Sequence, residues 1–398
     1  MRFPLAVLLC FALPAAATTY QIGPTRDLKS LKPLAPQLKA GDIVEVDSGT
    51  YHEVLKLQNN GTREAPILIR GVGEARPIFD AEGLDTSGRG PIPRGVLQIE
   101  GAYIVVEHME FRNARNGDNA AGIRVLDSTN AIIRDCKVTQ CDMGIFGNDK
   151  ETVTIEKCEI AFNGTDKFNG YSHNFYMHGN RVVVRGCYIH DALFGQNFKS
   201  RAHYNELWFN WISDSNEGEV GFVDAKDVTS KPHSNALMVG NIVVSKTGRT
   251  GNTLKFVDFG ADGGNAHDGT LFLFHNTLVA GEGKIKFVMV SGAPANIVAA
   301  NNIFVGSNQL TMLLKTPVKS ENISNFSGPD PEFTNAAGRD FRPRKAAGVT
   351  RGAAPNLVYE DGDGVKHTLE IEEQYAPHLK LKPRASSEAL GALEAAGE

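Results

Sequence analysis

The 398-residue chain has only 2 tryptophans and 5 cysteines, and neither sign of charge dominates it. Its formal net charge of −5 argues against a general nucleic-acid binder, although a net acidic protein can still carry one basic groove. Beyond the N-terminus, no apolar run is long enough to cross a bilayer, so no membrane partner is expected. Cys136, Cys158 and Cys187 are 22 and 29 residues apart, unlike the short Cys-x-x-Cys pairs of zinc sites, and no metal is implied. Helical periodicity is missing from the body of the chain, which excludes a bundle.

The first residues read as an export signal. Met1-Arg2 is followed by an apolar run from Phe3 to Leu13, then Pro14 and Ala15-Ala16-Ala17. Cleavage is expected after Ala17, giving a secreted or periplasmic protein. Residues 18–40 are expected to form an N-terminal cap with a short helix from Asp27 to Leu38, because Leu28, Leu31, Leu34, Ala35 and Leu38 recur at helical spacing.

Eight later segments superimpose on one pattern: an apolar residue, a column residue three positions on, and another apolar residue two further. The column is Met109, Cys136, Cys158, Cys187, Asn210, Asn241, Asn276 and Asn301. By subtraction its members lie 22 to 35 residues apart. Such irregular spacing with short β-branched runs predicts a β-solenoid over residues 41–324, closed by residues 325–398. Stacked coils bring like residues together about 4.8 Å apart, so Asn forms an amide ladder and Cys packs as a small apolar group. The cysteines could equally oxidise in an exported protein. Closed coil ends favour a monomer.

Ala40-Gly41-Asp42-Ile43-Val44-Glu45-Val46 followed by Ser48-Gly49-Thr50-Tyr51 resembles the opening of secreted bacterial proteins of the pectate-lyase-like superfamily. The resemblance implies an all-β, single-stranded right-handed parallel β-helix.

Chemistry is sought on the strand that follows each column by roughly ten residues. Alternation in Asn174-Phe175-Tyr176-Met177-His178 turns Phe175 and Met177 inward and leaves Asn174, Tyr176 and His178 outside. In the next coil Lys199, Arg201 and His203 point out. His173 flanks this face, and Asn148 and Arg124 extend it toward earlier coils. Two cations with no matching carboxylate, beside aromatic groups, suit an anionic polysaccharide; for Lys199 and Arg201 alone, a solvated strand face is the plain alternative. Ser172 to Tyr176 with Lys199 to Ala202 also resembles paired motifs of bacterial β-helix proteins grouped with polysaccharide lyases, which use Lys or Arg as base toward uronates. The aspartate clusters that hold calcium in pectate lyases are not evident, so no cofactor is expected, with calcium as the open alternative.

Elimination needs a neutralised carboxylate, a base for the C5 proton and a donor for the leaving oxygen. Arg201 suits the carboxylate with Asn174 assisting, Lys199 or Tyr176 suits the base, and Tyr176 or His178 the acid. His173, Asn174, His203, Asn148 and Arg124 are assigned to substrate binding. The rivals are a C5-epimerase, a glycoside hydrolase using Asp224 with Asp227 or Glu217 with Glu219, and a non-catalytic glycan-binding solenoid. His267 is read as structural.

Overall fold

The computed structural model describes residues 17–395 except 169, 247–253, 261, 281–284, 291–294, 307–310 and 314–318. The export signal therefore lies, but for Ala17, outside the described residues. Among the described residues two parallel sheets, one of nineteen strands and one of eleven, wind into a right-handed solenoid. The site is carried by six long-sheet strands: β1 (Ala121–Ser128), β2 (Met143–Glu156), β3 (Phe175–Arg185), β4 (Phe198–Trp208), β5 (Gly218–Val223) and β6 (Leu254–Gly260). A short strand of the second sheet follows most coils, as Trp211–Ser213 follows β4. Between the sheets run stacked aromatic rings, Phe175 on Phe198 at 4.8 Å among them.

The column forms the corner between the two sheets. Cys136 N–H meets Cys158 Sγ at 3.4 Å, Cys158 N–H meets Cys187 Sγ at 3.3 Å, and Cys187 N–H reaches Asn210 Oδ1 at 2.9 Å. Asn210 then donates to Asn241 Oδ1, Asn241 to Asn276 Oδ1, and Asn276 to Asn302 Oδ1, each amide at 2.9–3.0 Å. The residue before every member is left-handed: His108, Asp135, Lys157, Gly186, Phe209, Gly240, His275, Asn301 and Ser324, at φ between 49° and 63°. That backbone state costs a non-glycine residue about 1–2 kcal/mol, and the ladder hydrogen bonds offset it.

Two expectations are corrected. The column residue after Asn276 is Asn302, because Leu273 pairs with Ala299 and not with Val298, and the ladder runs on from Asn302 to Asn325 Oδ1. Asn301 instead occupies the left-handed position and holds Ala354 by both its amide oxygen and nitrogen. The cap helix is absent: residues 19–22 form a strand parallel to Ile43–Asp47, and only Ala35–Gln37 makes a 3₁₀ turn. Pro33 and Pro36 supply no N–H, so Leu31, Leu34 and Leu38 bury over the first coil without an α-helix, while Leu28 stays exposed.

After Gly328 the chain forms three antiparallel hairpins that lie against the outside of the solenoid. The coils beneath are apolar outward as well as inward, as Ile242, Phe272 and Phe274 illustrate.

Asn241 donates to Leu207 O and Val239 O besides its ladder partner. Replacing it by Leu takes this donor from both carbonyls and the Oδ1 acceptor from the Asn210 N–H, and should destabilise by about 1–3 kcal/mol. Urea unfolding checks this; an unchanged midpoint would contradict the ladder. Cys136, Cys141, Cys158 and Cys187 are free and buried, with burial pushing the Cys141 thiol up to about 12. A thiol reagent should leave all four untouched in the folded protein and titrate them after denaturation.

Candidate functional site

A single row of outward side chains crosses the long sheet. Arg124, Phe146, Tyr176, Lys199, Gly221 and Asp258 occupy equivalent positions on β1 to β6. Beside it runs a second row of Asn148, His178 and Arg201. The expected alternation holds for Tyr176, His178, Lys199 and Arg201, with Phe175, Met177, Phe198 and Ser200 wholly buried.

Tyr176 is the hub. Its ring stacks on Phe146 at 5.5 Å, Arg124 lies over the far side of Phe146 at 4.7 Å, and Lys199 Nζ sits 5.5 Å from the Tyr176 centroid. The result is a cation–aromatic–aromatic–cation pile along the solenoid axis. Burial, with the nearby Arg94 charge, lowers Arg124 to about 10. His173 meets the Tyr176 ring edge-on at 5.2 Å and His178 lies at 4.8 Å. His173 Nδ1 accepts the Gln196 N–H at 2.9 Å, which leaves any proton on Nε2.

Arg201 has all three nitrogens engaged. Nε donates to the Tyr176 hydroxyl at 2.7 Å, Nη1 to Asp224 O, and Nη2 to Asp262 Oδ2 at 2.5 Å. Lys199 Nζ reaches the same Asp262 oxygen at 2.9 Å. Burial opposes charge on both Arg201 and Asp262; their mutual attraction, with Tyr176 and Lys199, more than offsets it, so Arg201 is raised and Asp262 lowered. Asp262 is not adrift on its loop, because the buried Asp224 carboxylate accepts the N–H groups of Asp262, Gly263 and Asn265.

These contacts correct the sequence reading in several ways. The face does carry a carboxylate, Asp262, which arrives from a loop 61 residues beyond Arg201. Lys199 is only 7% exposed, so it is no solvated strand residue. Asn174 points inward: it precedes β3 at a second corner and forms a ladder from Asn163 Nδ2 (2.9 Å) through Asn197 Oδ1 (2.8 Å) to Glu219 Oε2 (2.6 Å from Asn197). Substrate cannot reach it. Glu219 and Asp224 are likewise buried in structural roles, which removes one member from each carboxylate pair considered for hydrolysis. His203 is tied to Gly362 O at 2.9 Å under the hairpin Val358–Glu360/Lys366–Thr368, away from the Tyr176 pile. Asn148 pairs with Asp127 at 2.6 Å on the site's edge. His267 is buried on Ser234 O, as a structural histidine should be.

Burial, then the Arg201 and Lys199 charges, pushes His178 down to about 4 and His173 well below the usual imidazole range. Burial alone is the main cause at His267, about 4, and at His275, about 3. All four are neutral at pH 7. On unfolding they regain ordinary affinity near 6.5 and take up protons, so stability should fall as pH drops from about 6.5 toward 4. Denaturation midpoints at a series of pH values test this; a flat profile over that window would contradict it.

A model of the right-handed β-helix region family matches residues 94–220. No curated protein sequence matches significantly. Among solved structures, a rhamnogalacturonan lyase is 14% identical with a TM-score of 0.60, covering 83% of this chain and 94% of its own. The pectate lyase Pel9A is 13% identical with a TM-score of 0.56, covering 96% and 98%. The chain has the right-handed parallel β-helix fold, which both of these lyase structures share.

Proposed function

We propose that the protein is a secreted polysaccharide lyase that cleaves a uronate-containing polysaccharide by β-elimination. One observation carries this reading: Lys199 and Arg201 converge on a single carboxylate oxygen, beside a phenol that accepts a guanidinium N–H. Elimination requires such a pairing, a carboxylate held by cations next to a proton acceptor. In this proposal the substrate uronate takes the place that Asp262 marks between the two cations.

The hydrogen bonds favour one assignment of roles. A guanidinium donor stabilises negative charge on the Tyr176 oxygen, so Tyr176 is the base that removes the C5 proton. Lys199 Nζ is placed against the carboxylate oxygen that Asp262 marks, which suits it to neutralise the uronate and to protonate the leaving oxygen. Arg201 positions Tyr176 and shares the carboxylate. His178 is neutral and His173 buried, so both shape the pocket around the phenol. Arg124 on Phe146 offers a second carboxylate contact two coils along. The fold's likeness to a rhamnogalacturonan lyase and a pectate lyase is consistent with a polysaccharide substrate, though at 13–14% identity it carries only the fold.

A screen of uronate polymers for new ultraviolet absorbance, the mark of an unsaturated product end, tests the reaction. Tyr176→Phe and Lys199→Ala should each reduce turnover by at least about a hundredfold, in the range of lost acid–base catalysis. Arg201→Lys should also be severely impaired, since its three-way contact needs a planar fork. Wild-type rates in these variants would place the chemistry elsewhere. Uronate C5 proton exchange without absorbance would make the protein an epimerase.

Asp262→Asn removes the internal competitor for the cations, and should tighten polymer binding measured in the inactive Tyr176→Phe background. Weaker binding would show that Asp262 orders the site and does not stand in for the substrate.

A further inference from the structure

The second sheet carries a cleft unrelated to the Tyr176 pile. Tyr188 and Trp211 lie in register on neighbouring short strands and face outward. His190 stacks on Tyr188 at 3.8 Å between ring centres. Trp211 meets Phe341 at 5.7 Å and Tyr375 at 5.9 Å, both from the C-terminal hairpins that roof this sheet. Between sheet and hairpins remains a cleft of about 950 Å³. Close-packed protein does not leave such a space by default, and its size is that of a small-molecule pocket.

The roof is held in place. Arg339 grips Asp214 through two nitrogens at 2.5 and 2.7 Å, and Phe333, Phe341 and Tyr375 share a buried cluster with Ile242 and Ile303. The cleft is therefore preformed, with little ordering left for a ligand to bear.

Its chemistry is specific. The charged lining comprises Arg76, Arg339, Arg342 and Lys382 against Glu159 and Asp340. Asp135 and Asp214, which pair with Arg76 and Arg339, are not part of the lining, and Glu159 is engaged by Lys137 at 2.9 Å. Arg342 is in turn held by Asp340, so Lys382 is the lining cation that no such carboxylate engages among the described residues, and it stands beside an aromatic floor. Flat aromatic faces suit the apolar faces of sugar rings, and the Lys382 ammonium suits a carboxylate.

We infer that this cleft binds a short acidic oligosaccharide, about two or three rings for a pocket of this volume. It is a separate site from the catalytic face, on a different sheet, and it holds whether or not that face performs elimination.

Trp208→Phe leaves Trp211 as the single tryptophan, so its fluorescence reports the cleft. This variant is titrated with the trimers of galacturonate and mannuronate, and with neutral maltotriose. A saturable change with at least one acidic trimer is expected, with Kd on the order of 1 mM or tighter. Lys382→Glu should weaken it roughly tenfold or more, Arg342→Gln should weaken it less, and Lys199→Ala should leave it unchanged. No saturable change with either acidic trimer would overturn the inference. So would an equal response to maltotriose, insensitivity to both Lys382→Glu and Arg342→Gln in folded protein, or loss of the signal in Lys199→Ala.

Discussion

Register between coils is the constraint on which everything else rests. A one-residue slip in a parallel sheet turns every side chain to the opposite face. The corners prevent it. A left-handed residue turns the chain, and the following Cys or Asn hydrogen-bonds the backbone of the previous coil and is bonded in turn by the next. The second corner, from Cys141 through Asn163, Asn174 and Asn197 to Glu219, fixes the start of β2 to β5 in the same manner. Tyr176 and Lys199 are neighbours because Asn174 and Asn197 are.

This division of labour explains why the site can be charged and still well placed. Phe175, Met177, Phe198 and Ser200 spend their side chains on the interior, while their alternates Tyr176, His178, Lys199 and Arg201 crowd the outer face. Two adjacent cations there would repel. Asp262 offsets that repulsion, and the Asp224 carboxylate beneath holds the loop that delivers it. On the proposed reading, the same internal carboxylate sets the affinity a uronate must exceed. A free anionic polymer competes with a fixed one, which favours substrates that engage several coils at once.

Much of this was legible in the chain, and the failures have physical causes. The column is visible because its Cys and Asn sit between apolar residues at constant offsets. It slipped at Asn301 because Ile297-Val298-Ala299-Ala300 is apolar on both faces and two asparagines follow, so only backbone pairing selects Asn302. Leucine periodicity suggested a cap helix, and Pro33 and Pro36 overrode it. Alternation found Tyr176, His178, Lys199 and Arg201, then carried Asn174 outward by extrapolating the strand one residue past its true start at Phe175. Asp262 could not be found this way. It lies on a loop after β6, and only the third dimension brings it to Arg201.

The most direct test of the central claim is where oxygen goes when a glycosidic bond breaks. Polymer identified by screening is digested in heavy-oxygen water and its fragments are weighed by mass spectrometry. Elimination predicts unlabelled fragments, one of each pair lacking the elements of water at its new end. Fragments that all carry the full elements of water, with heavy oxygen at the new reducing ends beyond that taken up by an uncut oligomer, would mean hydrolysis and would contradict a base at Tyr176 acting on a uronate held by Lys199 and Arg201.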